Sequence, residues 1–191
     1  GWPASALTEL MPQQPGIGEL SLLLPTIKHY ADNNSLCVWL DPPYQPYAPR
    51  LAAADIALDK QLVVRSKTHA EWLWAAEQSI RSGALLLAWT ESPTPRYADL
   101  RKLQLAAADS SNPAFLFSAP KTLSAPSPAA LRLELKSSEV NQLLLTVRKQ
   151  RGVAGGARLH LSLGEANAQR TSLALLPADR HRTYPIQQLN N

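Results

Sequence analysis

Hydrophobic residues follow two rhythms along this chain. Up to about residue 120 they come as short continuous runs separated by amphipathic stretches, and from Ala129 onward they alternate with polar residues. Leu36-Cys37-Val38-Trp39-Leu40 and Leu85-Leu86-Leu87-Ala88-Trp89 have the length and unbroken apolarity of strands covered on both faces. Ala6 to Met11, Gln61 to Val64 and Ala114 to Phe117 read as three more strands. Between the first two, the turn Pro12-Gln13-Gln14-Pro15-Gly16-Ile17-Gly18 opens onto a helix from about Glu19 to Tyr30. Pro25 should bend or restart that helix, because proline removes a hydrogen bond and crowds the preceding turn. Four prolines between Asp41 and Pro49 exclude regular structure there, and alanine-rich Arg50 to Leu58 predicts a short helix. Thr68-His69-Ala70-Glu71 has capping-box spacing and starts a helix that Gly83 stops. Its Trp72, Leu73, Ala76 and Ile80 share one face, with Trp74 off the stripe. Pro95 starts a further helix, Arg96 to Ala108.

Strands alternating with helices predict right-handed crossovers and a parallel sheet. The later rhythm, Leu131-Leu133-Leu135, Leu143-Leu145-Val147 and Leu159-Leu161-Leu163, predicts an antiparallel extension at one edge, its last two strands flanking the Gly152 to Gly156 turn. The expected architecture is α/β: a mostly parallel sheet flanked by helices with a C-terminal antiparallel β extension. Residues 1–163 form the core, and 164–191 a polar tail that docks or stays mobile.

At 191 residues and 45% hydrophobic, one domain with its own core is the default. The lone Cys37 excludes an internal disulfide and a thiolate zinc site, and fits a reducing cytoplasm. No apolar run reaches membrane-spanning length, and Gly1-Trp2-Pro3-Ala4 lacks the regions of a signal peptide, so the expectation is a soluble protein with no membrane partner. The chain starts without methionine and almost directly on a strand, and so reads as a fragment whose natural N-terminal segment is missing. His29, His69, His160 and His181 have no partner at helical spacing, which argues against a metal. Ser66 and His69 have no acidic orienter or nucleophile elbow, which argues against a hydrolase triad.

The loop after the first strand stands where a P-loop would carry G-x-x-x-x-G-K-[ST], with glycines to let backbone amides cradle phosphate, a lysine for the β/γ-phosphates and a hydroxyl for magnesium. With Gly18 as the second glycine, Gln13 falls on the first, Glu19 on the lysine and Leu20 on the hydroxyl. Gly16 and Gly18 remain, but Glu19 brings its own anion to the helix mouth, where the dipole favours it and it repels phosphate. A motor ATPase would close the Leu85 run with a magnesium-orienting aspartate; here it is Trp89, and Glu91 follows two residues on as a loop carboxylate.

Gly1-Trp2-Pro3 through Leu10, Leu36 to Asp41 with Tyr47-Ala48-Pro49-Arg50-Leu51, and Ser82-Gly83-Ala84 resemble the RecA core in order and spacing. Gly16-Ile17-Gly18-Glu19-Leu20, Trp39-Leu40-Asp41-Pro42-Pro43-Tyr44, Trp74-Ala75-Ala76-Glu77-Gln78 and Leu103-Gln104-Leu105-Ala106-Ala107-Ala108 resemble ImuA proteins more closely, the likeness running from Gly1 to about Leu163. The resemblance implies a RecA-like and SulA-like protein of the bacterial DNA-damage response, cytoplasmic and joining the nucleoid when DNA is damaged. It implies partnership with ImuB, an inactive Y-family polymerase relative, and with an error-prone replicative-type polymerase. RecA is a further candidate partner, and self-association is open. In that frame the catalytic glutamate falls on Pro43, so no base activates water, and neither catalysis nor a cofactor is expected. The alternative is a SulA-like inhibitor of the division protein FtsZ; the basic extension after Leu135 favours the adaptor, because SulA proteins resemble a shorter version.

Three groups are candidates for partner contact. Trp39, Tyr44 and Tyr47 lie at or beyond the carboxyl end of a strand, where open α/β sheets carry functional loops, and form either a rigid packed loop or a stacking surface. The stretch Arg148 to Arg182 carries five net positive charges against about minus one elsewhere, which suits either a solvated face or an acidic or DNA partner through Arg148, Lys149, Arg151 and Arg158. The RecA-like resemblance implies that Arg148, Lys149 and Arg151, just before the hairpin turn, would face a neighbouring subunit's nucleotide, a role that lapses without nucleotide. In the tail, Tyr184, Ile186 and Leu189 form a hydrophobic island that either docks on a partner or folds back.

Overall fold

The structure is a computed structural model and describes residues 1–90, 94–152 and 155–163. Glu91, the tip of the glycine-rich turn and the whole tail, with Tyr184, Ile186 and Leu189, lie outside the described residues. Among the described residues eight strands form one sheet: β1 (Leu7–Pro12), β2 (Cys37–Leu40), β3 (Gln61–Val64), β4 (Leu85–Trp89), β5 (Ala114–Phe117), β6 (Leu131–Ser137), β7 (Gln142–Gln150) and β8 (Arg158–Ser162), in the order β3-β2-β4-β5-β1-β6-β7-β8. The first six strands in that order are parallel to their neighbours; β7 and β8 run antiparallel. The alternating segment Leu131–Ser137 therefore pairs parallel with β1, and the antiparallel extension begins one strand later than the hydrophobic rhythm alone suggests.

Each apolar run becomes a central strand because both of its faces are covered. Helices α1 (Leu24–Asp32) and α2 (Ala48–Ala53) bury Ile27, Ala31 and Leu51 against Leu10, Trp39, Leu87 and Phe115. On the other face, α3 (His69–Arg81) and α4 (Tyr97–Ala108) bury Trp72, Ile80 and Leu103 against Leu7, Val38, Leu86 and Leu116. Beyond β1 only the α1 side stays apolar, with Leu133, Leu135, Leu145 and Val147 joining that cluster. The opposite side of β6 and β7 carries Arg132, Glu134 and Thr146, which accounts for the alternating pattern.

Two helices begin and end differently from expectation, for backbone reasons. The helix expected from Glu19 starts at Leu24, with Pro25 in its first turn, where a missing N–H breaks no helical bond. Residues 19–23 instead form irregular turns, Leu23 N–H donating to Leu20 O and Leu24 N–H to the same carbonyl at 2.9 and 3.1 Å. The helix expected over Arg50 to Leu58 starts at Ala48 and ends at Ala53. Asp55 holds φ +56°, which no helix continues through, and Lys28 Nζ fixes it by donating to its carbonyl and carboxylate at 2.8 and 2.7 Å. At α3, Thr68 Oγ1 accepts the Glu71 N–H at 3.2 Å, while the Glu71 carboxylate reaches Lys67 N–H at 2.8 Å, one residue before the cap. Gly83, at φ +76°, ends it as expected.

Candidate functional site

Open parallel sheets bind ligands beyond the carboxyl ends of their strands, the edge from which the loops after β1 and β2 leave and at which β4 ends. The loop after β1 is tied to β6 by Gln13 N–H donating to Leu135 O at 2.9 Å. Gly16 and Gly18 adopt φ +81° and +108°, conformations that glycine reaches without strain and that turn their amides toward a common point. That point is occupied from within the chain. Glu19 Oε1 accepts the Gly16 N–H at 2.9 Å, and Oε2 accepts the Gly18 N–H at 3.0 Å. Glu19 is only 8% exposed, and this pair of amide bonds compensates the desolvated carboxylate.

Glu19 therefore does not sit at a helix mouth, because α1 begins five residues later. Its stabilisation comes from the loop amides and not from a helix dipole. The steric consequence for an incoming phosphate is stronger, since the donors that would cradle it are already bonded. The electrostatic consequence has the same sign: a unit negative charge about 4 Å from the carboxylate meets about 4 kcal/mol of repulsion at an effective dielectric of about 20. Leu20, where a magnesium-binding hydroxyl would stand, is half-buried against the α1-side core.

The end of β4 is filled too. The Trp89 ring stacks on Phe117 of β5, with centroids 4.3 Å apart and planes 4° apart, and on Trp39 of β2 at 6.0 Å and 9°. An aromatic ladder thus crosses three strand ends where a magnesium site would need a carboxylate oxygen. Trp39, unlike the contact residue expected, is 1% exposed and donates its indole N–H to Gln61 Oε1 at 3.0 Å, so it belongs to the core and offers a partner no surface. The loop after β2 is held by Asp41, at φ +50°, whose carboxylate accepts the Ser66 N–H at 2.7 Å and the Ser66 hydroxyl, and by Arg65 donating to Pro42 O. Pro43 offers no base, while Tyr44 and Tyr47 project from this braced loop at 37% and 51% exposure.

The basic residues of β7 are partly engaged. Arg148 donates through Nε and Nη2 to Glu134 Oε2, the first at 2.9 Å, and Lys136 adds a second cation 3.4 Å from Glu134. Burial pushes the Glu134 carboxyl up, but hydrogen bonds from Arg148 and Lys136 outweigh it and leave the pKa below the usual carboxylate range. Lys149 Nζ donates to Ser127 O at 2.6 Å. Arg148, Arg151 and Arg158 are exposed and Lys149 half-buried, so the expected contact residues stay at the surface, two of them also bonded within the fold.

Sequence reasoning missed a buried ion pair. Glu9 and Arg132 are register partners on β1 and β6, with Arg132 Nε 2.6 Å from Glu9 Oε2, at 2% and 7% exposure. Ser127 Oγ completes Glu9 at 2.7 Å, and the other Arg132 nitrogens donate to Thr122 O and Ala125 O at 2.8 and 3.0 Å. The available signal was a lone charge, Glu9, in the first strand and three alternating charges, Arg132, Glu134 and Lys136, in the sixth, with nothing to say which of them pairs with Glu9. A second unforeseen pair is His69 Nε2 with Asp99 Oδ2 at 3.1 Å, joining the starts of α3 and α4. Burial raises the Asp99 pKa, but bonds from His69 and Arg96 prevail and hold it below the ordinary value.

Among the described residues no group of three His, Cys, Asp or Glu side chains could hold a metal, and no helix is long and apolar enough to cross a membrane. No protein-family model matches the sequence, and no curated protein matches it. One solved structure similar to this chain, described as the crystal structure of the RadB recombinase, aligns with a TM-score of 0.65 over 87% of this chain and 90% of that one, at 14% sequence identity. The likeness establishes a RecA-like fold, a mostly parallel sheet between helices with antiparallel strands at its C-terminal edge.

Proposed function

We propose that this chain is a catalytically silent RecA-like scaffold of the ImuA kind, which works in the bacterial DNA-damage response by binding proteins. Its principal partner in this reading is an ImuB-type inactive polymerase relative. RecA and an error-prone replicative-type polymerase are secondary partners, and DNA meets the exposed Arg151 and Arg158. One observation carries the proposal: the Glu19 carboxylate closes the amide cradle of Gly16 and Gly18 from within. The Trp39, Trp89 and Phe117 ladder supports it, because the place of the magnesium carboxylate is taken by rings. Binding energy that a motor would spend on nucleotide is here internal to the fold, which leaves partner recognition as the activity. A paired pull-down tests this. The purified chain should retain an ImuB-type protein and ignore FtsZ; retention of FtsZ with no ImuB-type capture would contradict it.

A further inference from the structure

A cavity of about 360 Å³ opens on the α4 side of the sheet, away from the Glu19 loop. Pro95, Leu100 and Leu116 supply an apolar wall, and Tyr97, Ala125 and Pro126, all exposed, stand at its mouth. The volume suits one large side chain and its neighbours. The floor is the Glu9–Arg132 pair, whose donors are committed to Glu9 and to the carbonyls of Thr122 and Ala125. No guanidinium is therefore left at the bottom to receive a phosphate.

The rim has the opposite character to the wall. Arg96 lines the cavity with a side chain 82% exposed, Lys121 is exposed one residue before lining Thr122, and Lys149 reaches the carbonyl of lining Ser127. Among the described residues the nearby carboxylates, Glu9 and Asp99, are both buried; Glu9 pairs with Arg132, and Asp99 holds His69 and Arg96 itself, Nε 3.3 Å from Oδ2, which compensates part of the Arg96 charge and leaves Lys121 and Lys149 in excess. A partner thus meets an apolar hole with an excess of positive charge beside it. We infer that the cavity receives a peptide segment of a protein partner that presents one large apolar side chain flanked by carboxylates. A nucleic-acid strand matches the rim but leaves the apolar wall unfilled, whereas an acidic, aromatic or aliphatic peptide satisfies both. This inference rests on the scaffold reading above and names where such a scaffold takes hold.

The test is selection of a random-peptide phage library on the full chain, followed by fluorescence anisotropy with the enriched peptides as synthetic probes. Enriched sequences should place Phe, Trp, Leu or Met beside Asp or Glu. Filling the exposed mouth with Ala125→Trp should weaken them by about tenfold or more, the size of a lost anchor. Lys121→Glu, a surface change that leaves the cavity intact, should weaken them several-fold, less so in high salt. The inference is overturned by a selection without enrichment, by enriched peptides lacking that signature, or by equal binding to both variants. It is also overturned if a labelled single-stranded oligonucleotide, and no peptide, loses binding in Ala125→Trp. Undiminished capture of an ImuB-type protein by Ala125→Trp removes the cavity proposal and leaves the scaffold standing. Peptide binding without any ImuB-type capture does the reverse.

Discussion

Replacing Arg132 by methionine should be the most damaging single change on the sheet. The methionine keeps much of the apolar stem but removes every donor, so Glu9 is left 2% exposed with only the Ser127 hydroxyl at 2.7 Å. Stranding a buried charge in this way costs about 3–5 kcal/mol. The carbonyls of Thr122 and Ala125, which Arg132 now fastens, lie on half-exposed or exposed residues and regain water, so they add little. Against a usual total of about 5–15 kcal/mol, the variant should be marginal, with a melting temperature lower by roughly 10 °C. Urea unfolding followed by circular dichroism measures the loss, and Glu9→Leu with Arg132→Met completes a double-mutant cycle. The double variant should recover most of the stability, because an apolar pair of similar volume needs no desolvation. A single-variant loss below about 1 kcal/mol, or a double variant whose losses simply add, would refute the reasoning, since Glu9 would then not depend on Arg132.

Other consequences are sharper in kind than in size. Trp89→Ala should cost about 3 kcal/mol in urea unfolding and Trp89→Phe clearly less, because the smaller ring still stacks between Trp39 and Phe117. Asp99 and Glu134 both have folded pKa values below their ordinary ones, so the stability they contribute is fully present above about pH 5 and disappears as pH falls through about 4 and below. Asp99→Asn should flatten that acid limb of a stability–pH curve, and an unchanged limb would deny Asp99 its part in it. Cys37 is buried, and burial pushes its thiol up to about 12, so Ellman's reagent should leave it untouched in the native state and label it at once in urea. If DNA meets the exposed arginines, Arg151→Ala with Arg158→Ala should reduce the slope of log affinity against log salt by about two.

The parallel core was legible because its signals are local. Continuous apolar runs such as Leu85 to Trp89 require cover on both faces, and the Thr68 hydroxyl and Gly83 mark the ends of α3 wherever the helix lies. The loop after β1 was legible as chemistry but not as geometry: Glu19 could be read as an anion beside two glycines, while its bidentate hold on Gly16 and Gly18 depends on two left-handed glycines and on a helix that waits for Pro25. Trp39 misled, since an aromatic at a strand end reads the same whether it faces solvent or stacks inward, and only the neighbouring strand decides. The internal bonds of Arg148 and Lys149 were not legible, because Glu134 and Ser127, which engage them, come from other segments. Glu9 with Arg132 needed the β1–β6 register, which couples residues 123 positions apart, and the cavity above them needed the path of the chain between β5 and β6.

The central claim is that a side chain of this protein has taken the place of a bound phosphate. Isothermal titration of magnesium ATP into the full chain tests it most directly, with Glu19→Ala run alongside. The wild type should give no saturable heat into the millimolar range, and Glu19→Ala, its Gly16 and Gly18 amides released, should bind phosphate-bearing ligands at least as well as the wild type. Micromolar binding by the wild type that Glu19→Ala abolishes would contradict the claim, because the carboxylate would then be helping to hold nucleotide.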